Sequence, residues 1–494
     1  MTESKSIDLK KLEDVEWITG NMVDRLSASG DTTGIPYYHY RWKKNWLADY
    51  VARPTNAEQV SKLLQLANQK NLPVIPRGGG TCYYGSASPT RGGIMVDVKL
   101  LDKILEINDK EMWVHVEAGA VWEVLDNQLR KHGLTLRVAP QSAVASVIAG
   151  WLAIGGKAGI GTPKHGTMLD NIVEMTVVRP DGQIETVAGD DMKVFYGTSG
   201  IAGVVISMKL KIRAVPEAFD GVMFAFTDLE KAIEAVKRIC QMKHKPVYLR
   251  MTDREYEWRV AGGLPAYIDG RFFILVAYDG KPLDVEDSVK AARGIFATAG
   301  AADLGEKYFL RSWEDRFIVE MKLKLEVPTL SMQNLWIPLA NIKPITDRMY
   351  DIARKYRINS CFYLVLGNET KVRLCLFAPS DHRHWMHFMA GKTMLHRLVK
   401  LGYQHSGELY TLGLQNTVYL KKFQPEDYNR FQEIRSHWDS KGIMNPDKLT
   451  HSNMTYRRMN LMFTMNGNFR RILSVFRRAK NILEIPKEEV HRNA

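Results

Sequence analysis

Cysteine is scarce. Four residues in 494, Cys82, Cys240, Cys361 and Cys375, stand far apart with no Cys-x-x-Cys pairing. That excludes a ferredoxin-type cluster or a cysteine-rich zinc site built from this chain alone, and a reducing compartment is the simplest reading of scattered thiols. Long apolar runs are also missing: none approaches the roughly 20 residues that a membrane-spanning helix needs. The opening stretch MTESKSIDLKKLEDVEW is polar and mixed in charge, so nothing there reads as a secretory leader. The expectation is a cytoplasmic protein not integral to a membrane. What is present is ordinary for a folded protein, 45% hydrophobic and 25% charged residues, and the length suits two or three domains.

Glycine is concentrated in three places. Pro76-Arg77-Gly78-Gly79-Gly80-Thr81, with Ser86 five residues on, follows a short apolar run at 72–75 that reads as a strand ending in a tight turn. Three consecutive residues without Cβ let backbone N–H groups approach a ligand closely, and a concave row of donors suits a pyrophosphate. Alone, such a turn is more often just a turn. A second segment runs Pro140-Gln141-Ser142, then Ser146-Val147, Ala149-Gly150 and Gly155-Gly156. A third runs Tyr196-Gly197-Thr198-Ser199-Gly200, then Gly203-Val204-Val205. Neither has the Gly-x-Gly-x-x-Gly spacing between strand and helix of a Rossmann fold, and neither contains Gly-Lys-Ser/Thr.

The ordered set RGGGT, PQS…IAG and GTSGIAGVV resembles the PCMH-type FAD-binding flavoproteins, the vanillyl-alcohol oxidase and p-cresol methylhydroxylase family. Within it the chain looks most like the glycolate oxidase and D-lactate dehydrogenase branch. The likeness is good over 46–215, weak over 216–425, and good again through Gly442-Ile443-Met444-Asn445-Pro446-Asp447-Lys448-Leu449. It implies an α+β fold: a two-subdomain FAD-binding domain at 46–215, an α/β cap or substrate domain at 216–425, and a return to the FAD domain at 426–455. Residues 1–45 form a lead-in segment. The resemblance places FAD on Pro76, Arg77, Gly78, Gly79, Gly80, Thr81, Ser86, Pro140, Gln141, Ser142, Ser146, Val147, Ala149, Gly150, Gly155, Gly203, Val205 and Asn445. Thr81 stands where relatives carry a linking histidine, so noncovalent FAD is expected, with Cys82 as the alternative point of attachment.

Helical and strand patterns fill in the rest. Asn56 with Gln59 reads as a capping box opening a helix over Val60, Leu63, Leu64 and Ala67. Helices are expected near 9–17, 121–132, 229–241, 282–299 (capped by Asp284), 342–356, 381–401 and 425–441. Strands are expected at 73–76, 93–98, 112–116, 172–179, 184–187, 222–226, 247–251, 272–278, 335–338, 361–366 and 372–377. The aromatic and basic stretch 37–46 reads as rings packed on the next domain rather than as a nucleobase platform. Residues 456–494 hold nine Lys+Arg against three Glu, and Phe469, Ile472, Leu473, Phe476, Ala479 and Leu483 keep helical spacing. Such a basic amphipathic tail can lie on an anionic membrane surface, dock on an acidic partner, or pack on its own protein. No nucleic-acid reading module is visible.

In this family the redox chemistry belongs to the cofactor and the protein supplies a substrate pocket. Relatives that oxidise 2-hydroxy acids add a divalent metal, an arginine and a histidine base. Here the first histidine-bearing signature falls at Tyr363-Leu364-Val365-Leu366-Gly367-Asn368-Glu369, which has no histidine. The second falls at Gly407-Glu408-Leu409-Tyr410, where Leu409 replaces the histidine. An isobutyl group cannot serve as a base, so no metal is expected there. His405, Glu408 and Tyr410 are the nearby substitutes, each also readable as structural. Asp381-His382-Arg383-His384-Trp385-Met386-His387 is readable as a metal site or as solvated histidines, and Arg250, Arg311 and Arg316 as grips for an anion or as ordinary ion-pair residues. The expectation is an FAD-dependent oxidoreductase taking two electrons from a small, anionic organic substrate and passing them to a partner protein, for which the resemblance implies an iron–sulfur protein, or to a quinone or oxygen. Alternatives are a flavin transferase resembling alkyl-dihydroxyacetonephosphate synthase, whose histidine triplet reads Leu409-Tyr410-Thr411 here, and a non-catalytic flavin subunit.

Overall fold

The computed structural model describes residues 17–33, 46–261, 268–327, 329–452 and 454–475. The expected helix at 9–17, nearly all of the 37–46 stretch, and the tail beyond 475 lie outside the described residues, as do the side chains beyond Asn466.

Three parallel strands, Tyr50–Ala52, Ile94–Asp97 and Val74–Arg77, form a small sheet with Ile18–Thr19 antiparallel at one edge. Helix Ala57–Lys70 crosses it, burying Val60, Leu63, Leu64 and Ala67 against Ala52, Val74, Ile94 and Val96. Asn56 caps this helix by accepting from the Gln59 amide at 2.9 Å. The Gln59 side chain reaches back one residue further than a capping box requires, accepting from the Thr55 amide at 2.7 Å.

A second, antiparallel sheet runs in the order Ile104–Asn108, Trp113–Glu117, Val204–Ala214, Ile172–Val178, Ile184–Ala188, with Leu134–Leu136 paired to the far end of the long third strand. The sequence reading missed 104–108, 134–136 and 204–214. The first is amphipathic and half exposed, and the long strand begins inside the third glycine-rich segment. Helices Trp122–Arg130 and Ile148–Ala153 pack against this sheet.

An eight-stranded antiparallel sheet follows, ordered Ala302–Asp303, Ala218–Phe226, Phe272–Gly280, Tyr248–Asp253, Cys361–Leu366, Lys371–Ser380, Thr329–Pro338, Glu408–Leu409. Strand alternation decides its two faces. Phe362, Leu364, Val372, Leu374, Leu376, Leu335 and Ile337 meet helices Leu229–Cys240, Pro282–Thr298, Ile342–Tyr356 and Trp385–Gln404. Tyr248, Tyr363, Val365, Cys375, Phe377 and Trp336 face the other way, toward the first two sheets. Asp284 does not cap the second of these helices: the helix starts at Pro282, which leaves Asp284 inside its first turn. Asp279, at the end of one sheet strand, is ion-paired with Lys164 of the short helix Thr162–His165 at 2.7 Å and with Arg213 on the long strand of the second sheet.

The chain then returns. Helix Pro425–Trp438 buries Phe431 and Ile434 in the core of the second sheet. Met444 bridges Val74, and the Asn445 amide donates to the Val74 carbonyl at 2.7 Å.

Helix Tyr456–Val475 lies along Trp385–Gln404. Between them His396 is 3% exposed, with Nδ1 2.9 Å from the Tyr419 hydroxyl and Nε2 3.2 Å from Asn460 Oδ1. Burial pushes its pKa down from 6.5 to about 4, with Lys400 and Arg397 lowering it further and the Asn460 contact opposing. The unfolded chain therefore binds the extra proton first, and stability is lost as pH falls from about 6.5 toward 4, by on the order of 2–3 kcal/mol. Hydrogen exchange in residues 456–466 should accelerate over that window, and His396→Phe should flatten the dependence. An unchanged pH profile in the variant would refute the assignment.

Candidate active site

The three glycine-rich segments meet in a cleft of about 1290 Å³, counted to its open mouth, between the first two sheets and the inner face of the third. Close approach explains the glycines. A Cβ on Gly79 would lie 2.1 Å from the Ala145 carbonyl oxygen, and one on Gly78 would lie 2.3 Å from Val147 Cγ2. Gly203, at φ +146°, would bring a Cβ to 2.4 Å from the Val178 carbonyl oxygen. The Arg77 guanidinium ties its own turn to the N-terminal segment: Nη1 donates to the Gly78 carbonyl at 3.1 Å, Nε to that of Ala28 at 2.9 Å and Nη2 to that of Gly30 at 3.2 Å. On the wall, Gln141 Oε1, Thr198 Oγ1 and Asn334 Oδ1 are buried without a hydrogen-bond partner among the described residues. A glycine-built cradle with unused polar atoms along its length fits a dinucleotide cofactor.

Of the residues expected to hold FAD, Pro76, Arg77, Gly78, Gly79, Gly80, Thr81, Ser86, Pro140, Gln141, Ser142, Ser146, Val147, Ala149, Gly150, Gly203 and Val205 line the cleft. Two do not. Gly155 backs onto Gly197, with an added Cβ only 3.3 Å from the Gly197 Cα. Asn445 sits behind the wall, donating from Nδ2 to the carbonyls of Ser86 (2.8 Å) and Ser199 (2.6 Å) and so pinning two of the lining segments together. Cys82 lines the cleft, but burial pushes its thiol up to about 12, with Asp31 adding to the shift. A thiol that stays protonated is a poor nucleophile, which counts against it as a point of covalent attachment.

At the end facing the third sheet the wall is Tyr83, Glu320, Asn334, Arg373 and Thr411. Arg373 is the one charge in the strand core Val372–Ala378, and alternation turns it to the inner face. Its Nη2 donates to Glu320 Oε1 at 2.7 Å and to the Tyr363 hydroxyl, which itself donates to Glu320. Nε donates to Cys375 Sγ at 3.1 Å, and the guanidinium lies 5.4 Å from the ring centres of both Tyr363 and Tyr410. Neighbouring groups hold the Arg373 pKa well above its ordinary value despite desolvation, which is the largest influence on it. The guanidinium is a fixed cation.

The three residues expected to catalyse are elsewhere. Tyr410 is 3% exposed, and its hydroxyl accepts from the amides of Lys157 (3.1 Å) and Ala158 (2.9 Å) while donating to the Ala158 carbonyl, which makes it a strut between sheet and glycine loop. Glu408 pairs with Lys371 at 3.2 Å and Lys157 at 4.0 Å at the sheet edge. His405 ends helix Trp385–Gln404, and its carbonyl accepts from Asn341. None of them lines the cleft. Arg250 is buried beside Glu257, and Arg316 stacks on Trp313 and Phe317. His382, His384 and His387 diverge, toward Thr329, the Asp381 carboxylate and the Asp381 amide respectively. Among the described residues no cluster of three or more His, Cys, Asp and Glu could hold a metal ion.

The sequence reading missed Tyr83, Glu320, Asn334 and Arg373. Only Arg373 carried a signal, a charge at an inward position of an alternating apolar strand.

Two family descriptions match the chain: FAD binding domain over residues 48–188, and FAD linked oxidases, C-terminal domain, over residues 215–449. The chain belongs to the FAD-linked oxidases with a PCMH-type FAD-binding fold. It is an FAD-dependent oxidoreductase, and FAD is its cofactor. It is similar to the D-lactate dehydrogenase of Archaeoglobus fulgidus, 27% identical over 81% of this chain and 90% of that one. The Bacillus subtilis glycolate oxidase subunit GlcD is 25% identical over 82% and 89%. Alkyldihydroxyacetonephosphate synthase of Dictyostelium discoideum is 23% identical over 81% and 73%. Among solved structures, p-cresol methylhydroxylase with substrate bound superposes with a TM-score of 0.73 at 14% identity, covering 88% of this chain and 94% of that one, a likeness of fold. No helix among the described residues is long and apolar enough to cross a membrane.

Proposed function

We propose that this flavoprotein oxidises a small organic carboxylate bearing a hydroxyl on the carbon to be oxidised, without a metal ion, and passes the electrons to a partner protein, a quinone or oxygen. The observation that carries the reading is Arg373, a buried guanidinium on the cleft wall where the third sheet closes over the flavin domain. Guanidinium suits a carboxylate because its planar donors match two oxygens. The names of the relatives, D-lactate dehydrogenase and glycolate oxidase subunit, agree with a hydroxy acid. FAD, when bound, accepts two electrons. Glu320 is the carboxylate on the same wall, and a substrate carboxylate that draws Arg373 toward itself frees Glu320 to take the hydroxyl proton.

A divalent metal does not fit. Leu409 is paired in the sheet with Leu335 and buried, and Glu408 already answers two lysines.

The test is anaerobic bleaching of the flavin by a panel of 2-hydroxy acids before and after chelation. Bleaching by at least one of them, at a rate indifferent to chelator, is the expected result. Loss on chelation with recovery on adding a divalent ion would overturn the metal-free reading. No bleaching by any of them, with dithionite still reducing the flavin, would overturn the substrate class.

A further inference from the structure

Helix Tyr456–Val475 packs one face on its own protein and leaves another exposed. Met459 is buried in the core under the third sheet, and the Phe463 ring centre lies 4.9 Å from that of His396. On the opposite side Leu461 and Met465 stand one turn apart, 58% and 62% exposed, with Met462 exposed between them. Trp385 adds to this apolar surface. It is exposed and lies one turn before Met389, whose carbonyl accepts from Asn466 Nδ2 at 3.3 Å. Single exposed apolar side chains are ordinary, but several together along one helix mark a contact surface.

Charge around this face has one sign. Helices Trp385–Gln404, Gly413–Phe423 and Tyr456–Val475 pack together, and their sequences hold nine Lys and Arg and no Asp or Glu. The chain as a whole carries 55 acidic residues, so their absence here is local. Arg457 and Arg458 are exposed one turn before Leu461 and Met462, which puts cations and apolar groups on the same side. Lys421 and Lys422 are exposed beside them, with Lys422 Nζ 4.4 Å from the Tyr456 ring centre. The chain's own end is a poor cover for such a face, because residues 476–494 are basic too, five Lys+Arg against three Glu.

We propose that the exposed face of helix Tyr456–Val475 docks on the surface of an anionic phospholipid bilayer. Arg457, Arg458, Lys421 and Lys422 meet the lipid phosphates. Leu461, Met462 and Met465 enter the boundary between headgroups and acyl chains. Methionine, unbranched and flexible, adapts to a surface without fixed shape. The contact is independent of what the flavin oxidises.

Co-sedimentation of the full-length, FAD-loaded protein with vesicles tests it. Vesicles of phosphatidylglycerol and phosphatidylcholine in equal parts should bind at least about tenfold more tightly than phosphatidylcholine alone, and raised salt should narrow the gap. Leu461→Ser/Met465→Ser removes the apolar contact, and Arg457→Glu/Arg458→Glu reverses the charge. All four positions are exposed, so both variants should fold. Each should weaken binding to the anionic vesicles by at least about tenfold, with FAD content and bleaching by dithionite unchanged. Equal binding to the two vesicles, or none to either, overturns the proposal. Binding that neither variant weakens also overturns it, by assigning the contact to another part of the chain. Weakening by the charge reversal alone would describe the purely electrostatic contact of an acidic protein and overturns docking on a bilayer. A parent dimer that Leu461→Ser/Met465→Ser splits, with no vesicle binding, would give the face to a second copy instead.

Discussion

A Gly79→Ala chain should leave the purification column with less yellow colour than the parent. The new Cβ would stand 2.1 Å from the Ala145 carbonyl oxygen, 3.2 Å from its carbon and 3.3 Å from the Ser146 Cα. All three are backbone atoms and cannot swing aside as a side-chain tip does. The segment they belong to is tied down, with the Ser146 amide on the Ser142 carbonyl at 2.8 Å and the Ile148 amide on that of Ala120 at 2.9 Å. Relief must come from spreading the first two glycine-rich segments, which widens the cleft where Ser142 and Ser146 line it. Overpacking costs about 1–3 kcal/mol even where side chains yield, and each ~1.4 kcal/mol is tenfold in affinity, so FAD binding should weaken by at least about tenfold. Gly78→Ala offers an informative contrast. Its obstacle is the Val147 side chain, so adding Val147→Ala should restore FAD to Gly78→Ala but not to Gly79→Ala. Gly294→Ala, with nothing within 4 Å of the added carbon and a helical position, should keep its flavin and gain about 1 kcal/mol. Full FAD occupancy in Gly79→Ala, measured by the ratio of flavin to protein absorbance, would remove this turn from the cofactor site.

The second large effect belongs to Arg373. Removing it alone strands Glu320 and Tyr363, and breaking one side of a buried pair costs about 3–5 kcal/mol of stability. The cleaner variant is Arg373→Met/Glu320→Met, because replacing both members of a buried pair with apolar groups is close to neutral. That protein should fold, carry FAD and be bleached by dithionite at the rate of the parent. Its reduction by whichever hydroxy acid bleaches the parent should fall by at least about 30-fold to a few thousand-fold, the loss of about 2–5 kcal/mol expected when a buried charged contact goes, with a further loss because Glu320, the acceptor of the hydroxyl proton, is gone as well. Arg373→Lys keeps the charge but not the planar fork, so the weakening should fall mainly on KM. Reduction of the double variant within about threefold of the parent would show that the substrate does not use this end of the cleft.

These two predictions differ in how much of their basis was legible in the sequence. A turn that must pass within van der Waals contact of another backbone can be built only from glycine, so Gly78 and Gly79 announce the requirement through residue type alone. The same holds for Gly203, whose φ and contact with the Val178 carbonyl exclude a side chain. The reacting end works by different rules. Arg373 and Glu320 are 53 residues apart, on a strand and on a short helix, and what brings them to 2.7 Å is the register of the third sheet together with the helix laid over it. Register is set by the pairing of whole strands, and no local pattern reports which helix will cover which row. Position relative to a family signature was a poor guide for the same reason. Glu408 and Tyr410 lie within the expected signature, yet Glu408, on a two-residue edge strand, meets two lysines, and Tyr410, just past it, meets a glycine loop.

The segment Gly442–Leu449 has a consequence for how the protein comes into being. Asn445 holds Ser86 to Ser199, Met444 bridges Val74, and the buried Lys448 donates to the Ser88 carbonyl at 2.5 Å. Every residue on the cleft wall has been synthesised by Thr411, yet the clamp that joins its parts comes more than thirty residues later. A ribosome must therefore release the entire eight-stranded sheet before the first sheet receives its last partner. A chain halted short of 445 would carry the whole lining without the Asn445 bonds that tie Ser86 to Ser199.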